Sequence, residues 1–256
     1  MHEHTLAGPP PVAAAGGTGK VHYGIDAPYV VGWLLLGGLL GLGAGIALLV
    51  FGQPGGQTFA AILCVIGIVD LALWTSMFSY ARLGKFRHRD HLLGMVPWRG
   101  DEQVLDIGTG RGLMMIGAAK HLTTGRSVGI DIWNASDLSG NAIENTRRNI
   151  ASEGVQDRAE VRLEDVRRMS FADASFDVIL SLMCLHNISG GTERAKACRE
   201  IARVLKPGGI ALLSDYRHAG AYTAALREAG LTVEPPKSDF ANAYFLVWTV
   251  VARKRP

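Results

Sequence analysis

The sequence predicts an α/β domain, with helices on both faces of a mostly parallel sheet, carried behind two membrane-spanning helices. Three observations lead there. Tyr29 to Phe51 and Thr58 to Tyr80 are two apolar runs of 23 residues, and Asp70 is the one charged side chain between Asp26 and Arg82. From Leu92 onward, short apolar runs alternate with helical stretches. Within that alternation, Val104 to Gly112 (VLDIGTGRG) carries a strand into a helix through three glycines.

Composition narrows the classes before any motif is read. Of 256 residues, 48% are hydrophobic and 19% charged, which excludes a disordered chain and falls below the quarter charged that is usual for soluble domains. The deficit is local, confined to the two runs. The net charge is +3, and from Met95 onward 21 Lys/Arg stand against 19 Asp/Glu, a difference of +2. No basic stripe for nucleic acid is visible. Cys64, Cys184 and Cys198 have no CxxC spacing, so neither a disulfide framework nor a metal site is expected, and a reducing compartment fits.

Residues 1–28 read as a flexible arm rich in Gly, Pro and Ala, with His2 and His4 solvated rather than metal-binding. Residues 29–81 read as a two-helix transmembrane hairpin. At about 1.5 Å per residue each run measures roughly 34 Å, enough to cross a hydrocarbon core. Pro54 and three glycines between them suit a tight turn, and Tyr29, Trp33, Trp74 and Tyr80 lie toward the ends, where aromatic rings favour the interface. Residues 82–94 form a basic neck. Arg82, Lys85, Arg87 and Arg89 place that side in the cytoplasm, with the N-terminus returned there by the hairpin, at the cell's inner or plasma membrane. Gly37, Gly41 and Gly45 share one face of the first helix and admit a close partner, either the second helix or, in a homodimer, another copy of the chain. Asp70 sits mid-span, where it meets a substrate headgroup or bonds a neighbouring helix.

In residues 95–256, strands are expected at 104–107, 127–131, 159–163, 177–181 and 209–214, and helices at 112–121, 136–152, 191–204 and 219–229. Two further strands, 231–234 and 243–252, close the chain. The βα alternation argues for parallel strands.

The first strand ends in Asp106 and turns through Gly108, Thr109, Gly110 and Gly112, where the backbone can approach a ligand and free helix N–H groups are on offer. Alone, this glycine spacing is shared by several nucleotide-binding turns. Asp131 ends the second strand, 19 residues after Gly112, placed to accept both hydroxyls of a ribose. Ile132 and Trp133 would flank an adenine ring, and Glu164-Asp165 ends the third strand.

With these residues, and with LKPGG at Leu205 to Gly209 and FADASFDVIL at Phe171 to Leu180, the sequence resembles the class I S-adenosylmethionine-dependent methyltransferases, in the branch of quinone-biosynthesis and small-molecule enzymes. The resemblance covers about residues 90 to 252. It implies a Rossmann-like, seven-stranded sheet, mostly parallel with the last strand antiparallel. It also implies the cofactor S-adenosyl-L-methionine and the product S-adenosyl-L-homocysteine. Gly108, Thr109, Gly110 and Gly112 would line the methionine part, with Asp106 near its amino group. Asp131 would hold the ribose, Ile132 and Trp133 the adenine face, Asp165 and the backbone at Val166 the adenine edge, and Leu182 the end of strand four. One departure is the stretch 133–140, which delays the next helix.

Methyl transfer from a sulfonium asks mainly for alignment, and for a base only when the acceptor arrives protonated. His186, beside Asn187, is the first candidate for base or orienter, with Asp215 and Tyr216 after strand five. Cys184 is read as packing. The expected function is a membrane-anchored methyltransferase acting on a small, lipophilic acceptor drawn from the bilayer. A tethered enzyme with a soluble acceptor, a non-catalytic binder of the cofactor and a dehydrogenase remain alternatives. The acceptor atom, O, N, S or C, is left open.

Overall fold

A computed structural model describes residues 21–256; residues 1–20 of the expected arm, with His2 and His4, lie outside them. Helices α1 (Pro28–Phe51) and α2 (Gln57–Ser79) fall within one residue of the expected spans. Both are long and apolar enough to cross a membrane, and only 11% of each apolar window is buried. They pack on each other through glycine. A Cβ on Gly38 would come within 2.7 Å of Leu71, one on Gly41 within 3.4 Å of Gly67 Cα, and one on Gly45 would strike Cys64 Sγ. The glycine face is therefore covered by α2, most tightly at Gly45, and Gly38 rather than Gly37 makes the close approach at Leu71. The homodimer expected through Gly37, Gly41 and Gly45 would first have to part this pair.

The expected neck is not a linker. After α2 the chain passes without a break through a π-helical turn (Tyr80–Gly84) into α3 (Lys85–Leu93). Leu92 and Leu93 are buried against Met114 and Ala118 of α4 (Leu113–Ala119) and against sheet residues Val178, Leu180 and Leu212. The helix that leaves the apolar span thus ends as a core helix of the α/β domain. Its apolar last turn supplies the reason, a signal that the preceding arginines obscure.

The sheet comprises β1 (Gln103–Ile107), β2 (Arg126–Asp131), β3 (Ala159–Leu163), β4 (Phe176–Leu182), β5 (Leu205–Asp215), β6 (Thr232–Val233), β7 (Lys237–Ser238) and β8 (Trp248–Arg253). Its order is β3-β2-β1-β4-β5-β8-β6, with β7 also paired to β8. Strands β1 to β5 are parallel and β8 is antiparallel to β5, as expected. The two-residue β7 makes eight strands where seven were expected. Helices α6 (Gly191–Val204) and α7 (Ala219–Glu228) bury Ile201 and Leu226 on one face, while α3 and α4 cover the other.

Three boundaries differ from expectation by more than two residues. β5 starts at Leu205 because Phe176 pairs with it across a register shift. The strand expected at 243–252 begins at Trp248, after a short helix α8 (Phe240–Ala243). The helix expected from Ser136 is α5 (Ile143–Ser152), because residues 134–142 are taken by another partner, the end of the expected arm. Ile25 N–H donates to Ser139 Oγ (2.7 Å), Ser139 N–H to Ile25 O (2.9 Å) and Ala27 N–H to Asp137 O (3.0 Å). Tyr23 is buried against Met115, Ile116 and Ile150. Residues 21–27 form a strap fastened to the domain by these bonds and by that buried ring.

Candidate active site

The carboxyl ends of β1, β2 and β4 meet the strap and the start of α3 around a cavity of about 320 Å³, within the range of small-molecule sites. Gly108, Gly110 and Gly112 all take left-handed φ (+70°, +52° and +88°), which glycine adopts without strain. Side chains there have no room. A Cβ on Gly108 would overlap Cys184, and one on Gly110 would come within 2.9 Å of Leu138. Gly108 and Gly110 line the cavity. Gly112 does not; it abuts Ile116 and Thr146 and lets α4 pack.

Asp106 and Asp131 both face the cavity. Asp106 is buried and accepts from Met115 N–H at 3.0 Å, and desolvation pushes its carboxyl up to about 7. Asp131 Oδ2 accepts from Gly110 N–H (2.7 Å) and Oδ1 from Trp133 N–H (2.6 Å), so one carboxylate ties the glycine turn to the end of β2. Burial raises this group as well, against the pull of those donors.

Thr109, Ile132, Asp165, Val166 and Leu182 line the cavity too. Asp165 is bound to Arg167 Nε (3.0 Å to each oxygen) and accepts its backbone N–H at 2.9 Å, which holds the carboxyl below its usual range. Trp133 is not brought to the wall. It sits at φ +49°, and its Nε1 is buried without a hydrogen-bond partner.

His186, Asp215 and Tyr216 are brought together, but behind the wall rather than in it. Asp215 is buried at the end of β5, and its Oδ2 accepts from His186 N–H (3.0 Å) and Tyr222 O–H (3.3 Å). Its Oδ1 accepts from Tyr216 N–H (2.9 Å) and lies 2.7 Å from His186 Nδ1. The His186 and Tyr216 rings meet edge to face at 4.7 Å. Asn187, next to His186, does reach the cavity. Cys184 lines it as well, and burial among nearby carboxylates pushes its thiol up, so it is not an activated nucleophile.

Sequence reasoning missed the opposite wall. Tyr23, Asp26, Tyr80 and Lys85 close it, and Asn141 joins them from the long loop. Lys85 is the most informative, a buried lysine in a stretch read as a solvated basic neck; no local pattern separates it from Arg82 or Arg87. Asp26, by contrast, could have been flagged as the one acid just ahead of an apolar run.

The wall carries six carboxylates (Asp26, Asp106, Asp131, Asp137, Glu164, Asp165) against three basic side chains (Lys85, Arg111, Arg167). Three of its buried oxygens, Asp26 Oδ2, Thr109 Oγ1 and Asn141 Oδ1, have no hydrogen-bond partner. Such a surface suits a cationic ligand rich in hydrogen-bond donors, which an ammonium, a sulfonium and ribose hydroxyls together provide.

Comparison with known proteins agrees. The "Methyltransferase domain" family matches residues 105–213. The chain is 30% identical over 198 residues to 27-O-demethylrifamycin SV methyltransferase of Amycolatopsis mediterranei, covering 66% of this chain and 67% of that protein. It is 29% identical over 153 residues to a ubiquinone/menaquinone biosynthesis C-methyltransferase of Hydrogenovibrio crunogenus, covering 59% and 55%. The chain thus spans between half and two thirds of these relatives' length. Among solved structures, a SAM-dependent methyltransferase of Aquifex aeolicus matches with a TM-score of 0.53 at 18% identity, over 64% of this chain and 88% of that one. The [4+2]-cyclase SpnF matches with a TM-score of 0.55 at 19% identity, over 66% and 81%. These likenesses establish the fold, which by itself does not fix a reaction. Sequence relatives, fold and an acid-rich cavity behind a glycine turn agree that the chain belongs to the S-adenosylmethionine-dependent methyltransferases.

Proposed function

We propose that the protein is a membrane-anchored methyltransferase acting on a small, lipophilic acceptor that it meets at the cytoplasmic face of the bilayer. One observation carries this reading. The helix that is apolar enough to span a membrane is the same continuous helix that supplies Tyr80 and Lys85 to the cavity wall. A helix serving merely as a tether would not need to build the site.

S-adenosyl-L-methionine, when bound, supplies the electrophilic methyl group. The chain's own residues hold and align. Asp106 faces the amino group, Gly108, Thr109 and Gly110 let the backbone close on the methionine part, and Asp131 takes the ribose. Ile132, Asp165 and Val166 surround the base, and Leu182, at the end of β4, lines the cavity on the other side of the glycine turn. Gly112 and Trp133 act indirectly, through packing of α4 and through the bond that fixes Asp131. His186, behind the wall with Nδ1 2.7 Å from Asp215 Oδ1 and Tyr216 packed against the ring, takes the acceptor's proton only where the acceptor reaches past Asn187. Asn187 is the member of that group in the wall.

The test uses intact membranes and isotope-labelled cofactor. Labelled methyl should appear in the lipid extract, and the protein should resist extraction by alkaline carbonate. Label confined to the aqueous phase, with the protein still in the membrane, would favour a tethered enzyme with a soluble acceptor. Release of the protein by carbonate would remove the anchor.

A further inference from the structure

We infer that residues 239–247, between β7 and β8, form a foot that rests in the anionic headgroup layer of the bilayer and seats the catalytic domain on it. The inference depends on the membrane reading above, and its test separates the two.

The foot is fastened along one face of the continuous helix. Ser76 Oγ donates to Tyr244 O (2.6 Å), Tyr80 meets Phe245 edge to face at 4.9 Å, and Arg87 donates to Tyr244 Oη (2.6 Å). At Gly84 a Cβ would come within 2.7 Å of the Tyr244 ring, and His91 lies 3.8 Å from Asp239. Positions 76, 80, 84, 87 and 91 recur every three or four residues, the spacing of a single helix face. From Ser76 to His91 the helix rises about 22 Å at about 1.5 Å per residue. The foot therefore begins beside the last turn of α2 and runs past the level where the apolar helix surface gives way to arginine.

What the foot turns outward is apolar. Phe240 is 64% exposed and Leu246 51%, and Leu83 on the adjoining helix is 59% exposed. Exposed Arg82 and Arg87 lie beside them, Arg82 over the Phe78 ring at 5.0 Å and Arg87 over Tyr244 at 5.6 Å. Apolar tips, aromatic rings and arginines at one level are the composition of an interfacial element, and the arginines match anionic headgroups. The foot packs on the same continuous helix whose α2 segment exposes its apolar side chains, so the bilayer around α2 reaches it. On its inner side the foot shares a cluster with Tyr80 and Met183, both of which line the cavity.

The full chain is placed in nanodiscs containing phosphatidylglycerol, with Cys64, Cys184 and Cys198 changed to alanine. A bimane is then attached at Phe240→Cys, Leu246→Cys, Ile62→Cys or Leu163→Cys. Lipids brominated near the headgroup end of the acyl chain act as quenchers. The labels at 240 and 246 should be quenched several-fold more than that at 163, an exposed position on β3, and should emit at shorter wavelength. Water-like behaviour at 240 and 246 with the label at 62 quenched overturns the foot and leaves the anchor standing. No quenching at 62 overturns the anchor itself. Labels at 240 and 246 that are shielded in detergent as fully as in nanodiscs would assign the surface to a second copy of the chain, and the foot would again be wrong.

Discussion

Lys85 Nζ donates a hydrogen bond to the backbone carbonyl of Tyr23 at 2.9 Å, and a second to the carbonyl of Gly24. The ammonium is buried and lies 3.7 Å from Asp26 Oδ2. It fixes the strap to the helix that continues from the apolar span, with the cavity between them.

Lys85→Met should leave two carbonyls without a donor and destabilise the strap by about 2 kcal/mol. Hydrogen exchange should quicken at the amides of Ile25 and Ala27, which bond Ser139 Oγ and Asp137 O, before the sheet responds. Unchanged exchange at those two amides would show that the strap holds without the lysine.

Gly108→Ala should abolish cofactor binding. Its φ of +70° costs a side chain about 1–2 kcal/mol, and the new Cβ overlaps Cys184. Gly191→Ala, where a Cβ meets nothing within 4 Å, serves as the control and should bind normally. Calorimetry with S-adenosyl-L-homocysteine reads both.

Asp131→Ala should weaken binding of the same ligand by roughly 1.5–3 kcal/mol, the loss expected for charged hydrogen bonds. It also frees the N–H groups of Gly110 and Trp133, so a slower association rate is expected as the turn loosens. Affinity within a factor of two of wild type, in stopped-flow or calorimetry, would take Asp131 out of the ribose site.

Asp106 gives a pH dependence of definite sign. Its carboxyl lies near 7 in the folded chain, above its ordinary 3.8, so its contribution to stability is full below about 4 and is lost as pH rises through 7. An ammonium bound beside it favours the ionised form, so binding below pH 7 releases a proton. The Kd should fall as pH rises toward 7, approaching tenfold per pH unit at the acid end, and then level off. Asp106→Asn, which still accepts from Met115 N–H, should bind with a flat profile. A flat profile in the wild type would place the amino group elsewhere.

His186→Ala should lower kcat by about 10²–10⁴-fold if the imidazole takes the acceptor's proton, with cofactor Kd unchanged. Asp215→Asn should lower kcat by a smaller factor, since the ring keeps its place against Tyr216. A kcat near wild type in both would make the cluster a structural support for the wall at Asn187.

The parallel strands and the glycine turn were legible because their signals are local. Asp106, Gly108 and Gly110 lie within five residues of one another, and the strand before them fixes where they point. The helix after Asp131 was placed seven residues too early, at Ser136 instead of Ile143, because the partner of residues 134–142 is the strap, more than a hundred residues away. Trp133 is expected with Ile132 at the adenine face, yet successive side chains leave a strand end in opposite directions, and at a left-handed φ this half-buried ring lies outside the cavity wall.

The sequence by itself determined the domain, its parallel strands through the βα alternation, and two helices of membrane length, since each follows from short-range pattern and chain geometry, while the cofactor class followed from the family resemblance that its motifs carry. Tertiary structure decided that Lys85 is a buried pin rather than a solvated charge, that the glycine face of α1 is spent on α2, and that His186 joins Asp215 behind the wall. Those outcomes depend on which distant segments share one desolvated space, and burial of that kind leaves no mark in the spacing of residues along the chain.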